Sequence, residues 1–297
     1  MHEALTTPEV LLTLFYSLDK IKIWKVMVLN DIYSALDAIK PFYESENAII
    51  FNNNCLEILK HIPENSIDMI FADPPYLLSN DGFTCRNGKM ASVNKGKWDK
   101  SGGLGADASF HDEWILACRR ILKPEGTIWI SGTYHSIYLC GYLLQKNNFH
   151  FLNDIAWFKP NASPNLSCRF FTASHETLIW ARKGEKAKHT FNYVELKNGH
   201  FPEDKLKREK TQMRSVWSIP TPGTGEKEKG KHPTQKPLDL LKRIVLASTK
   251  ENDIVLDPFC GSGTTGIACQ DTGNRFFIGI EIEKKYCELA KERLLIA

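Results

Sequence analysis

Apolar and polar positions along this chain fall into short blocks of two kinds. Runs such as Asn47-Ala48-Ile49-Ile50-Phe51 and residues 66–72 have strand length, while residues 55–62 and 110–122 place apolar side chains at helical spacing. Further strands are predicted at 126–131, 154–158, 176–181, 254–256 and 275–281, and further helices at 264–272 and 284–295. Short apolar strands alternating with amphipathic helices predict an α/β fold around a doubly wound, mostly parallel sheet. Residues 1–45 carry helix-compatible spacing (Leu11, Leu14, Phe15, Leu18, Ile21) but no chemical motif, and are read as an N-terminal extension.

Composition narrows the picture only a little. The 297 residues suffice for one large domain or two ordinary ones, at about 100–200 residues each. A net charge of +3 neither demands nor excludes a nucleic-acid partner. Eight scattered cysteines without a Cys-x-x-Cys pair favour reduced thiols in the cytoplasm over a zinc cage or a disulfide framework. Acids at Glu3, Glu9 and Asp19 interrupt the early apolar stretches, so no signal peptide is expected, and no apolar run is long enough to predict a membrane span.

Charge distribution is more informative than its total. Residues 182–231 hold thirteen Lys and Arg against seven Asp and Glu, so this stretch alone exceeds the net charge of the whole chain. A solvated surface loop accounts for such a run equally well. Here, however, the basic residues are interleaved with Phe191, Tyr193, Phe201 and Trp217, a mixture suited to phosphate neutralisation and base stacking.

Two motifs carry the chemistry. The strand at 254–256 runs into Asp257-Pro258-Phe259-Cys260-Gly261-Ser262-Gly263-Thr264, which places two glycines where a strand turns into a helix. Glycine permits positive φ and close approach of a ligand, and the helix N-terminus offers unpaired N–H groups. The lysine of an ATP-type phosphate loop is missing, and the dinucleotide fingerprint is incomplete. Eighteen residues after Gly263, a strand ends at Glu281, an acid placed to accept hydrogen bonds from ribose hydroxyls. A nucleoside-bearing cofactor without a pyrophosphate fits best, and S-adenosyl-L-methionine is the obvious one.

The second motif, Asp73-Pro74-Pro75-Tyr76, lies about 180 residues earlier, at the carboxyl edge of a strand. An ordinary strand-ending turn explains the prolines but not the full tetrapeptide. The exocyclic amino group of adenine or cytosine is a poor nucleophile, because its lone pair is delocalised into the ring. The Asp73 carboxylate and the Pro74 carbonyl would accept both amino hydrogens and turn the lone pair toward a methyl donor. Tyr76 would offer a stacking face, and Pro75 would rigidify the turn.

Taken together and in this order, the motifs resemble those of the β-class amino-methyltransferases of DNA, over nearly all of residues 47–295. The resemblance implies a seven-stranded S-adenosylmethionine-dependent methyltransferase sheet, circularly permuted. Its divisions would be a catalytic half at 46–181, a target-recognition insertion at 182–231 and a cofactor-binding half at 232–297. It implies cofactor-binding roles for Asn54, Cys55, Asp73, Thr234, Lys236, Asp257, Phe259, Gly261, Ser262, Gly263, Thr264 and Glu281, with Thr234 and Lys236 near the methionine end. Where relatives often carry Asp, Asn54 precedes Cys55-Leu56-Glu57, and its amide oxygen would take over the contact with the cofactor adenine. His232 is given no role.

Residues 77–82, 95–100 and 164–171 look most similar to the accessory adenine methyltransferases of DpnII-like GATC restriction systems. That narrower resemblance implies N6-adenine methylation of double-stranded and also single-stranded DNA and a cognate restriction endonuclease as partner, while the apolar runs and cysteine spacing predict no membrane and no metal. A homodimer is compatible with it. N4-cytosine methylation uses the same amino-group chemistry and stays open, as do RNA and protein-glutamine substrates. Attack at cytosine C5 would need a Pro-Cys nucleophile, which is absent.

Overall fold

The central strands of this chain are apolar on both faces, and since successive residues point to opposite sides, a sheet built from them must be covered twice. The computed structural model describes residues 39–77, 99–199 and 210–296, with 30, 34, 83–86, 89–92, 94, 96, 201, 204, 206 and 208. The helical extension expected within 1–45 lies almost wholly outside the described residues, as do 78–82, Lys95, Lys97 and Trp98.

The elements in chain order are β1 (Tyr43–Glu44), β2 (Ala48–Asn52), α1 (Cys55–Leu59), β3 (Ile67–Ala72), the hairpin β4 (Phe83–Arg86) and β5 (Lys89–Ser92), α2 (Leu104–Ile121) and β6 (Leu122–Gly132). They continue with α3 (Ile137–Lys146), β7 (His150–Phe158), β8 (His175–Arg182), α4 (Tyr193–Asn198), β9 (Val216–Ser218), α5 (Leu238–Ser248), β10 (Ile254–Asp257), α6 (Thr264–Asp271), β11 (Phe276–Glu281) and α7 (Lys284–Leu294). The predicted strands and helices recur with shifted ends. The largest shift is in α2, which begins at Leu104 rather than 110.

One sheet has the order β1-β2-β11-β10-β3-β6-β8-β7-β9. Its seven central strands match the expected number, and β1 and β9 extend it at either edge. β2, β11, β10, β3 and β6 run parallel, whereas β8 is antiparallel to both of its neighbours. The last two strands of the chain therefore slot between the first two long ones.

Alternation along each strand sorts the core into two layers. Ile49, Ile70, Ile130 and Leu256 face α1, α2 and α3, while Ile50, Met69, Trp129 and Val255 face α4 to α7. The neighbours β3 and β10 thus send their following helices, α2 and α6, to opposite faces. That divergence opens a crevice at their carboxyl ends, the usual ligand site of an open α/β sheet.

The basic segment is less separate than its composition suggests. β9 pairs with β7 in parallel, and Trp217 is buried beside the stacked Trp129 and Trp180. Phe201 lies 4.0 Å from the Arg243 guanidinium, which donates to Asp204 Oδ2 at 2.9 Å. The stacking role expected of Trp217 and Phe201 is therefore corrected: Trp217 is buried because a short strand added to the sheet edge must bury its inward face, and the half-buried Phe201 ring is covered by Arg243. Phe191 and Tyr193 keep partial exposure, but Phe191 packs on Trp180 and Asn192 is bound to α5 carbonyls, near the end of the sheet opposite the crevice.

Breaking the buried Asp204–Arg243 pair leaves a charge without compensation. Asp204→Ala is expected to cost about 3–5 kcal/mol, read as a lowered urea midpoint. Glu57→Gln, which removes the exposed pair with Lys60, should leave the midpoint in place.

Candidate active site

The crevice is built by the ends of four parallel strands. Leu256 of β10 sits beside Ile70 of β3, so Asp257 and Asp73 emerge from the carboxyl ends of adjacent strands, Asp73 two residues further along. On the other side of β10, Glu281 of β11 pairs with Asn52 of β2, bringing Asn54 alongside. One continuous cleft is lined by Asn54, Cys55, Asp73, Pro75, Phe259, Gly261 and Glu281, together with Phe110, His232 and Thr234. A smaller recess joins it through Asp73 and Gly261 and reaches Lys236, Asp257, Ser262 and Thr264.

The loop after β10 owes its shape to its glycines and its aspartate. Gly261 and Gly263 adopt φ of +50° and +73°, and a Cβ on Gly263 would come within 2.9 Å of the Ala290 Cβ. Asp257 accepts from Phe259 N at 3.0 Å and from Thr265 Oγ1 at 2.5 Å, clipping the turn to the first turn of α6. Burial nevertheless pushes the Asp257 carboxyl up to about 7. Arg293 of α7, unremarked in the sequence, donates to the Ser262 carbonyl and hydroxyl and to Thr264 Oγ1 at 2.6, 2.9 and 3.0 Å. Ser262 and Thr264 are thus first of all anchors of the loop.

Glu281 stands where the sequence suggested, at the end of β11, accepting from Gly261 N at 3.0 Å and Glu283 N at 2.8 Å. Burial raises its carboxyl from the usual value. Asn54 lines the cleft, but its amide oxygen already caps α1 by accepting from Leu56 N at 2.9 Å. That engagement leaves the amide oxygen one lone pair for any further donor. Cys55 is buried, and desolvation holds its thiol neutral, pushed up to about 12.

Around Asp73 the structure places a network that the motif alone did not announce. Lys236 Nζ donates to Asp73 Oδ2 at 2.5 Å and to the Tyr76 hydroxyl at 3.0 Å. That hydroxyl lies 2.8 Å from Asp73 Oδ1 and 2.9 Å from Glu176 Oε2, so its single proton serves one carboxylate at a time. Glu176, from the start of β8, is also held by Lys159 at 3.1 Å. Lys236, expected near the methionine end of a cofactor, thus pairs with the carboxylate of the amino-group motif. Tyr76 is 7% exposed, with Lys236 Nζ 5.3 Å from its ring centroid, which leaves less open face than a free stacking platform would have. Pro74 is buried, and Leu77 N donates to the buried Asp99 at 2.8 Å, fixing where the motif leaves the site.

Glu176 and Arg293 were not legible because they lie in strand and helix patterns that packing alone explains, and Lys159 reads as an ordinary charged residue just past the end of β7. His232 does line the cleft, its ring edge-on to Tyr286 and its Cε1 3.1 Å from where a Gly261 Cβ would be.

Burial raises Asp73 above the ordinary aspartate range, and Lys236 opposes that rise. Burial also acts on Glu176, but Lys236, Lys159 and the Tyr76 hydroxyl outweigh it and bring the carboxyl to about 2. The two groups therefore have opposite linkage. Glu176 contributes stability above its unfolded value near 4.5, lost as pH falls toward 2. Ionised Asp73 costs stability as pH rises through its raised value.

With this geometry in place, the comparisons with known proteins decide the family. The model of DNA methylases that modify N6 or N4 amino groups matches residues 67–292. The chain belongs to this family. Type II methyltransferase M2.MboI of Moraxella bovis is 52% identical over 257 residues, 86% of this chain and 91% of the relative. Type II methyltransferase M2.DpnII of Streptococcus pneumoniae is 46% identical over 88% of this chain and 95% of the relative. The crystal structure of the M1.HpyAVI–SAM complex matches with a TM-score of 0.60 at 33% identity, over 83% of this chain and 98% of that one.

The protein is thus a DNA methyltransferase that uses S-adenosylmethionine. Its own residues fit that cofactor. Gly261, with positive φ and no side chain, exposes loop backbone in the cleft wall, whereas Gly263 lines neither cavity and packs against Ala290. Glu281 retains lone pairs at the strand end, and Phe259 and the Cys55 side chain supply apolar wall. No helix among the described residues is long and apolar enough to cross a membrane.

A pH–rate profile tests the role of Lys236. If Asp73 must be ionised for methyl transfer, the acid limb of the methyltransferase lies above the ordinary aspartate value, and Lys236→Met moves it further toward neutral pH. An unmoved limb would separate Lys236 from the titration.

Proposed function

We propose that this methyltransferase modifies the N6 amino group of adenine in double-stranded DNA, at GATC, as the protective arm of a restriction–modification system in the cytoplasm. Its cognate endonuclease and single-stranded DNA are further partners in this proposal. The observation that carries it is the Asp73 network at the mouth of the cofactor cleft. A carboxylate held by a buried lysine and a tyrosine hydroxyl suits an amino group, and the neighbouring glycine-bearing cleft suits a nucleoside, which supports this reading. The likeness to M2.MboI and M2.DpnII, both Type II methyltransferases, favours the restriction–modification setting, and the resemblance of residues 77–82, 95–100 and 164–171 favours adenine and GATC.

S-adenosylmethionine supplies the electrophilic methyl group. Asp73 accepts a hydrogen of the target amino group, and the Pro74 carbonyl accepts the other, so that the nitrogen lone pair is drawn out of the ring system. Lys236 keeps Asp73 ionised until the new N–C bond has formed. The nitrogen then sheds one proton, and the raised affinity of Asp73 for protons suits its carboxylate to receive it. Tyr76 holds Asp73 in register through its hydroxyl and offers the rest of its ring edge to the extruded base. Glu281 would hold the cofactor ribose and Asn54 and Cys55 would border its adenine, with Thr234, Gly261 and Phe259 lining the same cleft.

Digesting methylated duplex DNA to nucleosides should yield N6-methyladenine, and N4-methylcytosine alone would reject the base assignment. Asp73→Ala is expected to lose at least about a thousandfold in single-turnover rate while cofactor affinity, followed by calorimetry, changes little. Surviving turnover would reject the amino-group mechanism.

A further inference from the structure

We propose that Phe170 and Phe171 form a wedge that enters duplex DNA beside the target base and fills the space the base vacates. The proposal rests on the reading of the site as one that methylates a base extruded from a duplex.

The two rings sit on the loop between β7 and β8, and the neck of that loop is the active site. Lys159 follows β7, Glu176 opens β8, and the two are bound to each other at 3.1 Å beside Tyr76 and Asp73. Lys159 N also donates to the Ser174 carbonyl at 2.7 Å, closing the neck. Whatever the loop tip touches therefore lies next to the groups that meet the target amino group. Phe171 lies five positions before Glu176, a reach of at most about 18 Å at full extension, so one duplex can contact both.

Phe171 is 98% exposed and Phe170 69%, on a loop that is internally tied. Asn165 Nδ2 donates to the Phe170 carbonyl at 2.8 Å, Asn165 N to Thr172 Oγ1 at 3.2 Å, and Ser167 N to Asn165 Oδ1 at 3.0 Å. Cys168 takes a φ of +52°, turning the chain just before the rings. Water repels two bare phenyl rings, and a loop that merely connected strands would gain by folding them inward. Holding them out is consistent with a partner that receives them.

The chemistry around the loop selects DNA as that partner. Exposed Arg169 stands directly before the rings, and Asn161 Oδ1 accepts from Thr221 N at 3.0 Å, linking the loop to the basic segment. Apolar side chains inserted between base steps beside cationic phosphate contacts are a recurring way to unstack a duplex. Extrusion costs least where the target base is already unpaired. A wedge should therefore matter on paired substrate and be dispensable where pairing is broken. It also supplies the exposed aromatic surface that buried Trp217 and packed Phe201 do not.

The experiment compares kcat/KM on a duplex containing the paired target adenine with that on the same duplex carrying an abasic site opposite it. For Phe170→Ala/Phe171→Ala the paired-to-unpaired ratio is expected to fall at least fivefold relative to wild type, and Phe171→Trp should keep the wild-type ratio. A ratio that falls less than fivefold overturns the wedge. That includes equal losses on both substrates accompanying lost self-association, which would assign the rings to a protein interface. If the wild-type protein makes no N6-methyladenine on either substrate, the reading of the site fails first, and the two failures are distinguishable.

Discussion

A carboxylate that must be both buried and ionised is the constraint on which this active site depends. Asp73 has to leave water to grip an amino group without competition, yet burial alone would protonate it. Lys236, contributed by a segment 163 residues away, supplies the compensating charge at 2.5 Å. The lysine in turn faces a second carboxylate, Glu176, which Lys159 balances. Two acids and two bases thus form a neutral set, and no member can be removed without leaving another uncompensated.

Meeting that constraint explains the topology. The lysine precedes α5, the helix that leads into β10, and β10 lies directly beside β3, the strand that delivers Asp73. Placing the cofactor strands last in the chain but central in the sheet brings the two motifs to one crevice. The divergence of α2 and α6 leaves that crevice open, and the clip between Asp257 and Thr265 and the Arg293 anchor keep its floor in shape. Gly261 and Gly263 take positive φ at no steric cost, and the absence of a Cβ lets the loop pass close to His232 and Ala290.

Much of this was legible in the sequence because it depends on local periodicity. The strands carrying Asp73, Asp257 and Glu281 and the glycine turn at Gly261 follow from apolar runs and turn chemistry. Partnerships across the sheet do not. The family resemblance of its segment implies a cofactor role for Lys236, whereas its ammonium turns to Asp73. Glu176 sits in an apolar strand, where one acid is an unremarkable edge residue until β8 is known to lie beside β6. Trp217 and Phe201 looked like nucleic-acid contacts by composition alone, and the strand β9 and the cation Arg243 claimed them for the core. Composition cannot tell a basic segment that reads DNA from one that is largely folded onto its own domain.

Carboxyl carbon NMR, with the Asp73 and Glu176 signals assigned through their amide variants, follows the network directly. The two acids should split, Asp73 titrating above its ordinary value of 3.8 and Glu176 falling to about 2. Two ordinary titrations, with Asp73 near 3.8 and Glu176 near 4.5, would contradict the buried, mutually compensated set on which the site is argued to depend.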